Sequence, residues 1–127
     1  MSKQSVWPST ANPASPYSPG IITGNLVFVS GQVPMDPETK KIVEGEFETH
    51  VRQCIRNVET VLKAAGTDLN HAVKVVVFLK DMDNFARLNA VYNEYWGEVR
   101  PARSCVEVAR LPLDVQVEIE AIATLPG

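Results

Sequence analysis

The chain has 127 residues and a net charge of −3, from 12 Lys and Arg against 15 Asp and Glu, so no basic excess is available to hold a nucleic acid backbone. Hydrophobic residues at 45% and charged residues at 21% exclude compositional disorder. No apolar run approaches the roughly 20 residues of a helical membrane span. A single domain over residues 1–127 is expected, large enough to bury a core without a staple.

Two cysteines, Cys54 and Cys105, form no C-x-x-C pair, and the two histidines are far apart, so neither a disulfide framework nor a metal site is expected. The opening "MSKQSVWPSTANPASP" lacks both the apolar stretch of a signal peptide and the arginines of a transit peptide. The expectation is a cytosolic protein with no cofactor, mitochondrial import being the alternative.

In chain order, "WPSTANPASPYSPG" is too rich in proline for a helix or a central strand and reads as an extended, irregular lead-in. "GIITGNLVFVSGQ" reads as two short strands joined at Gly24-Asn25, a pair suited to the positive φ of a tight hairpin, with the second ending at Ser30-Gly31. "VPMDPETKKIVEG" follows as a polar loop. From Phe47 the spacing turns helical through Val51, Cys54, Ile55, Val58, Val61, Leu62 and Ala65, with Gly66 where a C-cap glycine belongs.

"HAVKVVVFLKD" predicts a central strand, apolar on both faces except at Lys74. A second helix opens near Asp81 or Asp83 and runs through Phe85, Leu88, Tyr92, Tyr95 and Trp96 to Gly97. Asn89 falls on its apolar side, four residues after Phe85 and three before Tyr92. "ARSCVEVAR" and "DVQVEIEAIAT" complete an α+β pattern of five strands and two helices.

Alternation sorts the last two strands by face. Ser104, Val106 and Val108 point one way, and Arg103, Cys105 and Glu107 the other. Val115, Val117, Ile119, Ala121 and Ala123 oppose Gln116, Glu118, Glu120 and Ile122. If the apolar faces meet the helices, Arg103, Cys105, Glu118 and Glu120 share the opposite face. Two helices cannot cover both sides of a sheet, so that face is either wet or covered by another subunit.

"RPARSCVEVARLP" followed by "VEIEAIA", with "PYSPG", "VSGQVP" and "VKVVVFLKDMDNFARLNAVY", resembles the Rid/YjgF family of reactive-intermediate deaminases over nearly the whole chain. The resemblance implies a chorismate-mutase-like α+β fold: a mixed six-stranded sheet with two helices on one face, assembled as a homotrimer with active sites between subunits. It implies hydrolysis of 2-imino and enamine acids, such as 2-iminopropanoate and 2-iminobutanoate, to 2-keto acids and ammonia. Such intermediates escape from pyridoxal-phosphate enzymes and can damage them. The alternatives are a non-catalytic trimer that binds metabolites or acts as a chaperone, and a ribonuclease or translation inhibitor, against which the acidic balance counts.

By the same resemblance Arg103 binds the substrate carboxylate and Glu118 orients and activates the attacking water. An interface ion pair is the alternative role for Arg103. Tyr17, Ser30, Gly31, Asn89 and Cys105 match pocket positions. Tyr17 could instead anchor the lead-in, Ser30 and Gly31 could mark a turn, and Asn89 could serve a structural partner. Cys105 reads as a small apolar wall rather than a nucleophile, since no histidine adjoins it in sequence and imine hydrolysis needs no covalent step. Glu120 reads as an interface or rim charge, and Cys54 as core. Periodicity leaves open whether Arg103 meets Glu118 of its own chain or of another.

Overall fold

The computed structural model describes residues 2–127. Six strands, β1 (Gln4–Val6), β2 (Gly20–Thr23), β3 (Leu26–Gln32), β4 (Ala72–Leu79), β5 (Ala102–Glu107) and β6 (Val117–Thr124), form one sheet in the order β1-β2-β3-β6-β4-β5. The helices are α1 (Phe47–Ala64) and α2 (Phe85–Tyr95). Only β4 and β5 pair in parallel, and α2 is the crossover between them.

Local sequence explains most of these elements. The β2–β3 hairpin turns at Gly24, whose φ of 58° is the left-handed value expected of Gly24-Asn25. The buried seam of α1 is Phe47, Val51, Cys54, Ile55, Val58, Val61 and Leu62, as the helical spacing predicts. The helix stops at Ala64, followed by Gly66 at φ 92°. Asp81 caps a short 3₁₀ turn, Met82–Asn84, by accepting from the Asp83 amide at 2.9 Å, and α2 begins directly after it.

Several boundaries differ from expectation. The residues predict five strands; the sixth, β1, pairs antiparallel with β2 and buries Val6. β3 runs past Ser30-Gly31 to Gln32 through an irregularity after Val29. β5 stops at Glu107, and β6 starts only at Val117, after Leu113 and Asp114 at φ 58° and 55°.

One face of the sheet packs against both helices. Val27, Val29, Val75, Val77, Val117 and Ile119 meet the α1 seam and Leu88, Val91 and Tyr92 of α2 in a continuous core. The end of α2 is fixed by Trp96, whose buried indole N–H donates to the Leu69 carbonyl at 2.8 Å. Ion pairs Arg52–Glu94 at 2.9 Å and Arg87–Glu48 at 2.7 Å also link the helices. Being exposed and screened, they add less than the core does.

The opposite face carries Phe28, Val76, Phe78, Val106 and Ile122 with Glu118 and Glu120. Phe28 and Val106 remain 40% and 42% exposed there, so no described element covers these two side chains.

Strand register overturns the expectation that Arg103 and Cys105 share a face with the glutamates. Residues paired across a sheet project to the same side. Arg103, Cys105 and Glu107 pair with Val75, Val77 and Leu79, which point into the helical core. Glu118 and Glu120 pair with Phe78 and Val76, on the other side. The apolar side of β5 faces away from the helices because β5 is an edge strand, where α2 offers a polar and aromatic surface to Arg103.

Candidate active site

The first of two groups of chemistry-bearing side chains surrounds Arg103. Its Nη1 donates to Asn89 Oδ1 at 2.9 Å, and its guanidinium lies 4.7 Å from the Tyr92 ring and 5.6 Å from the Phe85 ring. Phe85, Asn89 and Tyr92 form one stripe of α2 at i, i+4 and i+7. Cys105 lies two residues along β5 on the same face, packed against the core. Burial raises its thiol pKa and the nearby Arg103 charge only partly offsets this, which favours the protonated thiol. Cys54 is fully buried in the core, as expected.

The second group surrounds Glu118. A cavity of about 310 Å³ is lined by Glu118, Tyr17, Gly31, Lys40, Asn57 and Leu113 among others, with the lead-in forming one wall through Thr10, Asn12 and Ser15. Gly31 allows the carboxylate to approach, since a Cβ there would overlap Glu118 Oε2. Ser30 sits one residue away with its hydroxyl occupied, donating to the Ser18 carbonyl at 2.7 Å. It thereby fastens the lead-in to β3, and Lys40 Nζ donates to the Thr10 carbonyl further along.

Burial, and secondarily the like charge of Glu120, hold the Glu118 carboxyl above its ordinary value. Its proton affinity therefore moves toward neutrality, as a group that exchanges protons with water requires. Glu120 pairs with Val76 on the same face and acts on Glu118 through space.

The structure thus joins Arg103 with Asn89 and Cys105, and Glu118 with Tyr17 and Gly31, but does not join the two groups. Arg103 is level with Val75 and Glu118 with Phe78, on strands either side of β4. At about 4.8 Å per strand and about 3.3 Å per residue, they stand about 10 Å apart in each direction, on opposite faces. A small metabolite cannot touch both within one chain.

Phe85 and Tyr92 beside Arg103, and Lys40 and Leu113 in the cavity, were not predicted as site residues. The helical spacing around Asn89 points to the two aromatics. Nothing local marks Leu113, whose left-handed backbone carries an exposed apolar side chain to the cavity.

A mixed six-stranded sheet with two helices on one face defines an α+β protein, with an arginine cluster at the sheet edge and a glutamate-lined cavity behind it. Residues 8–125 match the family model described as Endoribonuclease L-PSP. A RutC family protein of Pyrococcus horikoshii is 53% identical over 111 residues, 87% of this chain and 88% of that one. The Salmonella typhimurium protein named 2-iminobutanoate/2-iminopropanoate deaminase is 47% identical over 111 residues, 85% of this chain and 86% of its own. The crystal structure of the Escherichia coli YjgF gene product matches with a TM-score of 0.85 at 41% identity, covering 95% of this chain and 98% of that one. The chain belongs to the Rid/YjgF family, the L-PSP family of the matching model.

Proposed function

We propose that this protein hydrolyses 2-imino acids, including 2-iminopropanoate and 2-iminobutanoate, to 2-keto acids and ammonia, from clefts between the copies of a homotrimer. The observation that carries the reading is the division of the site. An arginine that forms no ion pair among the described residues and a glutamate whose carboxyl is held by burial above its ordinary value occupy opposite faces of one chain, so a second copy is needed to bring the two together. The half-exposed apolar face around Phe28 and Val106 is a surface such a neighbour would bury. The name of the Salmonella relative supports the same chemistry.

In this reading the Arg103 fork holds the substrate carboxylate by charge-assisted hydrogen bonds, and Asn89 keeps the fork in place. Glu118 takes a proton from water as the oxygen attacks the imine carbon, giving a tetrahedral carbinolamine. It returns that proton to nitrogen, then takes the carbinolamine hydroxyl proton and passes it to the amine as the C–N bond breaks, so that the carbonyl forms and ammonia leaves. Tyr17 and Gly31 line the cleft, Ser30 holds its wall, and Cys105 packs beside the arginine. Imines hydrolyse in water unaided, so positioning and proton transfer suffice, and the proposed reaction draws on no cofactor. The physiological role is cytosolic scavenging that protects pyridoxal-phosphate enzymes.

The test generates 2-iminobutanoate in place with a threonine dehydratase, adds semicarbazide as a competing trap, and follows 2-ketobutanoate. Faster release with the protein than with the trap alone supports the reading. An unchanged partition overturns it, as does a strictly monomeric protein that remains fully active in sedimentation.

Gly31→Ala gives a sharper check on Glu118. The added Cβ displaces a flexible carboxylate end rather than backbone, so the chain folds with little change in thermal midpoint. Misplacing the reactive group by about 1 Å lowers kcat about 10²-fold. Retained kcat in the same trap assay would show that the Glu118 carboxylate need not sit where it does.

A further inference from the structure

Arg103 is held by neutral groups alone. Among the described residues it forms no ion pair, nor do Arg56 and Arg100, while Arg52, Arg87 and Arg110 each have a carboxylate partner. Its contacts are the Asn89 amide oxygen and the two rings of α2. A carboxylate in their place would compete with an anionic ligand for the fork and cancel its charge. A ring face restrains the guanidinium plane while leaving its N–H edges free.

The two rings differ in how firmly they are fixed. Phe85 is 39% exposed, whereas Tyr92 is 4% exposed and lies nearer the guanidinium. Behind Tyr92 stands Trp96, with ring centroids 4.6 Å apart and the planes tilted by 44°. Trp96 is in turn pinned by its bond to the Leu69 carbonyl. A line of support therefore runs from the core through two aromatic rings to the charge at the sheet edge. The Tyr92 hydroxyl takes no part in it, since it is buried with no hydrogen-bond partner. The contact is made by the ring.

We propose that Tyr92 is a positioning residue for Arg103: its ring face, backed by Trp96, holds the guanidinium oriented and un-neutralised for an anionic substrate. The kinetic part of this inference rests on the imino-acid reading above. The structural part does not.

The test reads both. The Arg103 Nε–H resonance, assigned by its loss in Arg103→Lys, is expected upfield of the other arginines because of the ring beneath it. Cross-relaxation to the Tyr92 ring protons should accompany this shift. In Tyr92→Leu the resonance moves toward the common arginine position, the more distant Phe85 ring remaining, and in Tyr92→Phe it stays. In the trap assay Tyr92→Leu raises KM about 10- to 30-fold with kcat within about twofold, because ring contact serves bound substrate and transition state alike. Tyr92→Phe restores KM to within about twofold of the wild type.

An Arg103 signal unmoved in folded Tyr92→Leu, or equal KM values for the Leu and Phe variants, overturns the proposal. Should Tyr92→Leu not fold, the wild-type spectrum decides: a signal at the common position without cross-relaxation to Tyr92 overturns it, and an upfield signal with that contact supports it. If the wild type leaves the partition between trap and keto acid unchanged, the imino-acid reading fails and the spectrum still decides the role of Tyr92.

Discussion

Arg103→Ala is expected to lower kcat/KM for 2-iminobutanoate by about 10²- to 10⁴-fold, the loss of two hydrogen bonds to a charged group at about 1.5–3 kcal/mol each. Stability should move by less than about 1 kcal/mol, because Arg103 lies on an edge strand without an ion pair to break. Arg103→Lys keeps the charge but loses the fork, and should fall between the two. The trap assay and thermal unfolding measure both quantities. Activity within about threefold of wild type in Arg103→Ala would remove the arginine from the mechanism. A chaperone-like activity that survived the substitution would point to the other reading of the fold.

Glu118→Gln removes the proton acceptor and is expected to lower kcat by about 10²- to 10⁴-fold. The pH dependence separates this role from a merely structural one. Water activation needs the ionised carboxylate, so the wild-type rate falls as pH drops through the folded-state pKa. Burial raises that pKa first and the Glu120 charge second, so the acid limb lies above the ordinary carboxylate value of 4.5. Glu120→Gln should shift the limb downward only in part, because burial remains.

The stability sign follows from the same shift. With a raised folded pKa the native state binds the proton more tightly than the unfolded chain does. Stability from this group is therefore greatest at pH below both values and declines as pH rises through the folded pKa. At neutral pH Glu118→Gln should be neutral or stabilising. Clear destabilisation there, with kcat unchanged, would make Glu118 a structural residue.

Much of this site can be read from the chain itself, but not its division. Helical spacing places Asn89 between Phe85 and Tyr92, and all three meet Arg103. Alternation also assigns Arg103 and Cys105 correctly to one side of their strand. It does not say which side meets the helices, because that depends on β5 lying at the edge with Arg103 opposite Val75, a pairing made 28 positions away in sequence. The β1 strand is invisible for a related reason, since three residues have no period and Val6 is buried only through pairing with the β2 strand. The cavity wall is equally hidden, because the proline-rich lead-in takes its place from bonds to Ser30 and Lys40 rather than from a pattern of its own. The left-handed pair Leu113-Asp114 carries neither glycine nor asparagine to announce it.

The separation of Arg103 from Glu118 within a chain has a genetic consequence. On the proposed assembly every working cleft draws its arginine from one copy and its glutamate from the next. A copy lacking the arginine still offers an intact glutamate, and a copy lacking the glutamate still offers an intact arginine. Two alleles that are each inactive alone would regain partial function when expressed together, whereas two alleles damaged at the same residue would not.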